Sequence, residues 1–347
     1  MKSLLLSKYN LILFLLIIFF ISSCEKTPEK NNTPTLIEKG KGVFITNEGN
    51  YQWGNATISY YRSDSKTIAD DVFNSINARP LGDVCQSMTI SGDMGYIVVN
   101  NSGKVEIVNM KDFKSIATIS GFSSPRYLLL LNPGKAYISD LYSNTIQVAD
   151  LHTNTITKSI PCKGSTEEMC LYGNKVFVTN TRSEYLYVVD TISETVIDSI
   201  KLSYASNSIC KDKYNKLWVL CCGKDAQKAE VYCVNPDNLS VEKSIPLNVV
   251  LNIWNRIALN PEKDILYLMN NGVFKMSISA SAFESTALIN SDGKNLYSFG
   301  VNANDGDIYV SDAMDFIQKG WVFRYNNIGL PLDTFKTGII PSGFWFY

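Results

Sequence analysis

The sequence contains one histidine, His152, among its 347 residues. A Ser-His-Asp triad, a Cys-His pair and the usual histidine-containing zinc sites all need an imidazole at the reacting centre. His152 lies in a turn-rich segment, DLHTN, which we place on the face away from the expected site. We therefore expect a protein that is not an enzyme and has no catalytic residues and no cofactor.

The sequence also has no basic run and no glycine-rich phosphate loop placed between a strand and a helix. Its net charge is −1, its pI is about 6.0, and 19% of its residues are charged. A protein that binds nucleic acid or an anionic membrane surface normally carries a basic patch. We expect no nucleic-acid partner.

Cysteine is present, but no Cys-x-x-Cys spacing occurs. Seven cysteines follow Cys24, and an odd number cannot pair completely. We expect small buried apolar side chains at strand positions. The alternative is one bridge from Cys221 or Cys222 to Cys233 across a hairpin.

The N-terminus has the features of an export signal. Lys2 and Lys8 flank the start of a short apolar segment that ends in Ile-Ser-Ser-Cys24. This pattern is typical of a signal peptide, and the last four residues resemble a bacterial lipobox. We predict a signal peptide over 1–23 and a lipidated Cys24 with a polar tether over 24–40; an uncleaved anchor or a plain signal is the alternative.

A repeat dominates the rest of the chain. Seven strand-like runs carry an aromatic residue at the same phase, and consecutive anchors are 52, 41, 40, 41, 49 and 42 residues apart. The anchors are Phe44, Tyr96, Tyr137, Phe177, Trp218, Tyr267 and Tyr309. A period near 40 to 45 with several short strands per unit is typical of propeller blades. We predict an all-β fold, a single seven-bladed β-propeller over 41–347 with four-stranded blades.

One unit illustrates the expected strands. The apolar run RYLLLL, from Arg126 to Leu131, predicts an innermost strand buried on both faces. The first unit begins at GVFITN and lacks such a run, while the chain ends in GFWFY. We expect the C-terminal strand to complete blade one and close the ring, which removes two open edges.

The loops after second strands and before innermost strands share one face of a propeller, and we place a ligand site there. Aromatic and guanidinium side chains on that face suit a planar or amphipathic ligand. The candidates are Tyr51, Trp53, Arg79, Arg126, Tyr142, Arg182, Tyr185, Trp254, Arg256 and Phe316. An isolated loop Arg is more often a solvated residue, and Tyr127 is interpreted as propeller packing.

Six second strands end in Asn or Asp. Turn capping explains this pattern, with a polar channel mouth as the alternative. Asp140 and Asp312 also leave open a calcium site of the kind used by propeller lactonases, so a calcium-dependent hydrolase is a further alternative.

Blades such as VFVTNTRSEYLYVVDTISETVIDSI, Val176 to Ile200, resemble the YncE-like, YVTN-repeat family of seven-bladed propellers. The segment GVFITNEGNYQWGNATISYY, Gly42 to Tyr61, behind a lipobox, is similar to surface lipoproteins of Bacteroidota. These include the cobalamin-capturing propellers of the BtuG type.

The resemblance implies a lipid-anchored outer-membrane protein at the cell surface. It implies capture of cobalamin or another corrinoid as a bound ligand and delivery to a TonB-dependent, BtuB-like transporter. The alternative is a propeller that binds a glycan, another nutrient or a protein partner in a different uptake system.

Overall fold

A computed structural model describes residues 37–40 and 42–347, and these form seven antiparallel sheets of four strands each. The sheets are the blades of a seven-bladed β-propeller, which confirms the predicted fold. The proposed signal peptide, Cys24 and the tether up to residue 36 lie outside the described residues.

The strands form four layers around the central channel. The innermost strands, from blade one to blade seven, are β28 (Pro341–Phe346), β4 (Cys85–Ser91), β8 (Pro125–Asn132), β12 (Thr166–Tyr172), β16 (Ser206–Lys211), β20 (Ile257–Leu259) and β24 (Leu296–Val301). The second strands are β1 (Gly42–Asn47), β5 (Met94–Val99), β9 (Lys135–Asp140), β13 (Lys175–Asn180), β17 (Leu217–Cys221), β21 (Ile265–Met269) and β25 (Ile308–Asp312).

The outer half of each blade has two more strands. The third strands are β2 (Thr57–Arg62), β6 (Lys104–Asn109), β10 (Thr145–Asp150), β14 (Tyr185–Asp190), β18 (Glu230–Val234), β22 (Gly272–Ser277) and β26 (Lys319–Tyr325). The outermost strands are β3 (Thr67–Ala69), β7 (Ser115–Ser120), β11 (Thr155–Pro161), β15 (Thr195–Lys201), β19 (Val241–Pro246), β23 (Ile289–Asn290) and β27 (Pro331–Ile339).

The second strands are the most deeply buried layer. In β9 and β13, five of six residues are buried, because these strands have sheet neighbours on both sides and blades packed on both faces. The prediction that the Arg126–Leu131 run is buried on both faces is wrong. Leu129, Leu130 and Leu131 are only partly buried, since an innermost strand has the open channel on one side.

Ring closure is confirmed. The C-terminal strand β28 pairs antiparallel with β1, with Phe44 opposite Trp345 and Val43 opposite Phe346. Contact with the propeller begins before the predicted domain boundary at residue 41, since Ile37 is buried in a hydrophobic cluster with Phe44 and Tyr60 of blade one. The Gly40 N–H also donates to the Tyr347 carbonyl at 2.6 Å.

A short helix, α1 (Val72–Asn77), lies between blades one and two, and a single 3-10 turn, Asn100–Ser102, follows β5. The Asp71 side chain caps α1 by accepting from the Asn74 N–H at 3.2 Å. Within 37–40 and 42–347, no helix has the length and hydropathy needed to span a membrane.

All seven cysteines after Cys24 are free, and five of them are buried. The alternative bridge is wrong, because the strand register sets Cys233 opposite Trp218 and Cys221 opposite Glu230. Burial raises the pKa of Cys162 and Cys222 to about 12. Thiols of this kind are structural and unreactive at neutral pH.

Substitution of Phe44 tests the packing at the closure. Its ring is fully buried, stacks on Phe113 of blade two at 5.0 Å and lies 6.2 Å from the Tyr347 ring. We expect Phe44→Ala to lower the free energy of unfolding by about 3–5 kcal/mol, measured by urea denaturation.

Leu332→Ala is the control, because Leu332 is 42% exposed on the outermost strand β27. It should change stability by no more than about 0.5 kcal/mol. Equal effects of the two substitutions would contradict the described closure.

Candidate functional site

A repeated β-bulge defines the mouth of the central channel. In six blades the strand register shifts directly after the first residue of the innermost strand. A bulge redirects the side chain of the extra residue. We call the seven residues at this level the channel-mouth ring: Ser342, Gln86, Arg126, Glu167, Asn207, Arg256, which directly precedes β20, and Tyr297.

Arg126 links three neighbouring blades. Its Nε donates to Glu167 Oε1 at 2.9 Å on blade four, and its Nη1 donates to Gln86 Oε1 on blade two. Glu167 is fully buried and Gln86 is 7% exposed. The positive charge of Arg126 is therefore paired with a buried carboxylate.

Arg256 crosses the channel from blade six. Its Nη2 donates to the Tyr127 hydroxyl at 2.7 Å on blade three, and its Nε lies 3.1 Å from Glu168 Oε1 on blade four. Its Nη1 donates to the Ile253 carbonyl at 2.6 Å. Blade three is one of the two blades farthest from blade six in a ring of seven, so Arg256 reaches across the channel.

A cavity of about 180 Å³ opens at this mouth. It is lined by Glu48, Val84, Gln86, Arg126, Ile253, Trp254, Arg256, Tyr297 and Ser342. One wall is aromatic: Trp254 stacks on Tyr297 with ring centroids 5.8 Å apart, and Phe316 meets Tyr297 edge-on at 5.8 Å. The cavity therefore combines an aromatic wall with charged groups.

Glu48, which directly follows β1, supplies a further carboxylate. Both of its oxygens lie 3.2 Å from the Tyr297 hydroxyl, which donates to them. Burial raises the pKa of Glu48, while the attraction of Arg126 opposes that rise. Burial also raises the pKa of Glu168, against the attraction of Arg256.

Two buried acceptors of the ring have no hydrogen-bond partner within the described residues. These are Glu167 Oε2 and Asn207 Oδ1. A buried acceptor without a donor is costly, so a water or a ligand group is expected beside each of them.

The structure brings four of the ten predicted residues together at the cavity. Arg126, Trp254 and Arg256 line it, and Phe316 reaches it through Tyr297. Tyr142 and Arg182 form a separate pair, with the guanidinium 5.5 Å from the ring centroid.

Tyr51 and Trp53 lie in the loop after β1 and are 64% and 74% exposed. This loop reaches blade seven, since Asn50 Nδ2 donates to the Phe316 carbonyl at 2.6 Å. The aromatic side chains of blades one and seven therefore belong to one face, as expected.

Two predicted residues lie away from the cavity. Arg79 turns outward and donates to Glu106 Oε1 at 2.6 Å and to Ser115 Oγ at 3.0 Å, on the third and outermost strands of blade two. Tyr185 begins the third strand β14, 6.4 Å from the Tyr187 ring. Arg79 thus has a structural partner that its sequence position does not reveal.

The sequence prediction missed most of the polar groups at the mouth. These are Glu48, Gln86, Glu167, Glu168, Tyr297 and Tyr127, which had been interpreted as packing. Their common signal is position: all except Glu48 lie within the first three residues of an innermost strand.

Asx capping is confirmed at Asp140, Asn180 and Asp312, whereas Asn47 and Asn100 donate from their side-chain amides instead. The Asp140 carboxylate accepts from the N–H groups of Ser123, Ser124, Tyr142 and Ser143. Asp312 Oδ1 accepts from Asn295 and Met314. Both carboxylates considered for calcium are thus engaged by backbone donors, and the described residues hold no cluster of three metal-ligating side chains.

A second cavity, of about 300 Å³, lies on the opposite face between blades six and seven. Turn residues line it, including Glu262, Glu284 and Asp305. We place the candidate site at the channel mouth instead, because charged side chains from several blades converge there. Nothing in either cavity points positively to a catalytic role.

The raised pKa of Glu48 makes a prediction about stability. The folded protein holds a proton on Glu48 more tightly than the unfolded chain, whose ordinary value is 4.5. Stability should therefore be lost as pH rises from about 4.5 through the folded-state pKa. Glu48→Gln should remove that loss, so the variant gains stability relative to the parent between pH 5 and pH 8.

Urea denaturation at the two pH values measures this difference. Glu284→Gln, at an exposed carboxylate on the opposite face, is the matched control. A gain at Glu48 no larger than that of the control would show that Glu48 ionises freely in the folded state.

Comparison with solved structures supports the fold alone. A quinoprotein alcohol dehydrogenase-like protein from Bacteroides thetaiotaomicron has a TM-score of 0.70 at 16% identity, covering 89% of this chain and 78% of that chain. Hydrazine synthase from Kuenenia stuttgartiensis has a TM-score of 0.63 at 14% identity, and the match covers 74% of this chain and 87% of that chain. The Pan2 WD40 domain of Neurospora crassa has a TM-score of 0.59 at 12% identity, and the match covers 79% of this chain and 83% of that chain.

None of the curated proteins matches the chain. A family model described as a domain of unknown function, DUF5074, matches residues 41–346. The match spans the whole propeller, and the chain belongs to the DUF5074 family.

Proposed function

We propose that this propeller captures cobalamin or a related corrinoid at its channel-mouth face. The observation that carries the proposal is the cavity of about 180 Å³, which is lined by two guanidinium groups and by the stacked Trp254 and Tyr297 rings. Pockets of this composition bind ligands that combine apolar surface with a few polar groups.

The exposed aromatic side chains around the cavity favour a wide ligand. Trp53, Tyr51 and Tyr142 are 74%, 64% and 59% exposed on this face. Exposed aromatic rings on one face can stack on the apolar edges of a planar ligand. The cavity is too small to enclose a corrinoid, so the macrocycle would lie across the mouth while one of its side groups enters.

The resemblance of the Gly42–Tyr61 segment to surface lipoproteins of Bacteroidota supports the corrinoid as ligand. It also supports lipid anchoring at Cys24 in the outer membrane, at the cell surface. On this proposal the captured corrinoid passes to a TonB-dependent, BtuB-like transporter.

A second candidate function is capture of a glycan in a different uptake system. The observation that favours it is the Tyr142–Arg182 pair, an exposed ring beside a guanidinium on the same face. Aromatic faces stack on sugar rings as well as on a corrin edge.

Calorimetric titration of the purified chain with cyanocobalamin tests the proposal, and we expect one-to-one binding. Trp254→Ala should weaken it by about 1–2 kcal/mol, roughly 5- to 30-fold, because the indole forms part of the aromatic wall. Trp53→Ala should also lower the affinity for cyanocobalamin.

Tyr214→Ala is the control, since Tyr214 is 67% exposed in a turn on the opposite face. Affinity for cyanocobalamin should not change in this variant. Absence of binding to the parent chain, or equal losses in all three variants, would refute the corrinoid proposal.

A further inference from the structure

Groups of opposite charge line the channel-mouth cavity, and Glu48 forms no ion pair with either arginine there. Glu48, Arg126 and Arg256 all line it. Arg126 is paired with Glu167, and Arg256 with Glu168. Glu48 accepts from the Tyr297 hydroxyl and, within the described residues, has no cationic group within 4.0 Å.

The hydrogen-bonding capacity left at the cavity is asymmetric. Arg126 uses its Nε and Nη1, and its Nη2 has no partner within the described residues. A guanidinium has five N–H donors, so Arg126 still offers donors to a ligand. Glu48 carries lone pairs beyond those used by Tyr297 and offers acceptors.

The charge balance argues against an ionic ligand group. Both guanidinium groups already have carboxylate partners, so a ligand carboxylate or phosphate would add negative charge beside Glu48. A ligand ammonium would add positive charge beside Arg126 and Arg256. A neutral group that carries an acceptor and a donor side by side can accept from Arg126 and donate to Glu48 without adding charge.

We propose that the channel mouth selects a primary carboxamide. Its carbonyl oxygen accepts from Arg126 Nη2, and its NH₂ group donates to the Glu48 carboxylate. This inference rests on the proposed function in taking the channel mouth as the ligand site, and it identifies the chemical group of the ligand that enters. The side-chain amides of a corrinoid are groups of this class.

Three probes of equal chain length test the selection: butanamide, butanoate and butylammonium. The indole N–H of Trp254, followed by NMR, reports occupancy because Trp254 lines the cavity, and the Trp321 indole on the third strand of blade seven is the internal control. We expect butanamide to shift the Trp254 signal with an affinity at least about tenfold above that of either ion. Equal or tighter binding of butanoate, or no shift with butanamide up to its solubility limit, would overturn the proposal.

Glu48→Gln keeps the shape of the side chain and removes its charge. The preference for butanamide over butanoate should fall by about tenfold in this variant, because the carboxylate no longer faces a negative group. Glu284→Gln, on the opposite face, should leave the preference unchanged. An unchanged preference in Glu48→Gln would show that Glu48 does not select the ligand group.

Two corrinoids separate this inference from the proposed function. Dicyanocobinamide carries side-chain amides, whereas dicyanocobyrinic acid carries carboxyl groups in their place. Equal binding of the two would retain corrinoid capture and overturn amide selection. Amide preference among the small probes without binding of either corrinoid would retain the amide site and refute the corrinoid function.

Discussion

The pairing of β28 with β1 is the constraint on which the rest of the structure depends. It joins the last strand of the chain to the first and turns seven separate sheets into a closed ring. Closure completes blade one with four strands and fixes the seven innermost strands around one axis. The side chains at the start of those strands, which are far apart in sequence, consequently meet at one channel mouth.

Long polar side chains connect the blades at the channel mouth. Arg256 reaches from blade six to Tyr127 and Glu168, and Arg126 connects Gln86 and Glu167. Buried charges are tolerated when each has a hydrogen-bonded partner. Glu48 departs from this pattern, since its remaining oxygen lone pairs face a cavity. A ligand gains most from binding where a charged group still has hydrogen-bonding capacity that the protein does not use.

Much of the fold could be predicted from the sequence. The aromatic anchors fall in the second strands, and these strands are buried enough for their apolar runs to stand out. The absence of an innermost strand before Gly42 and the extra run at the C-terminus also predicted the closure. The partial exposure of β8 was missed, because an apolar run does not show that the free edge of the strand lies beside a channel.

The candidate site was less predictable. Arg79 and Arg126 both precede or begin an innermost strand, yet Arg79 pairs with Glu106 on the outer part of a blade while Arg126 enters the channel. The difference depends on the bulge and on partners about 27 to 41 positions away, which no local pattern reveals. Tyr127 was interpreted as packing for the same reason, since its partner Arg256 lies 129 positions away.

A crystal structure of the protein grown with cyanocobalamin tests the central claim most directly. The account predicts a corrin lying across the channel mouth against Trp254, with one amide side chain between Glu48 and Arg126. A corrin bound elsewhere on the propeller, or a channel mouth that contains only ordered water under saturating cyanocobalamin, would contradict it.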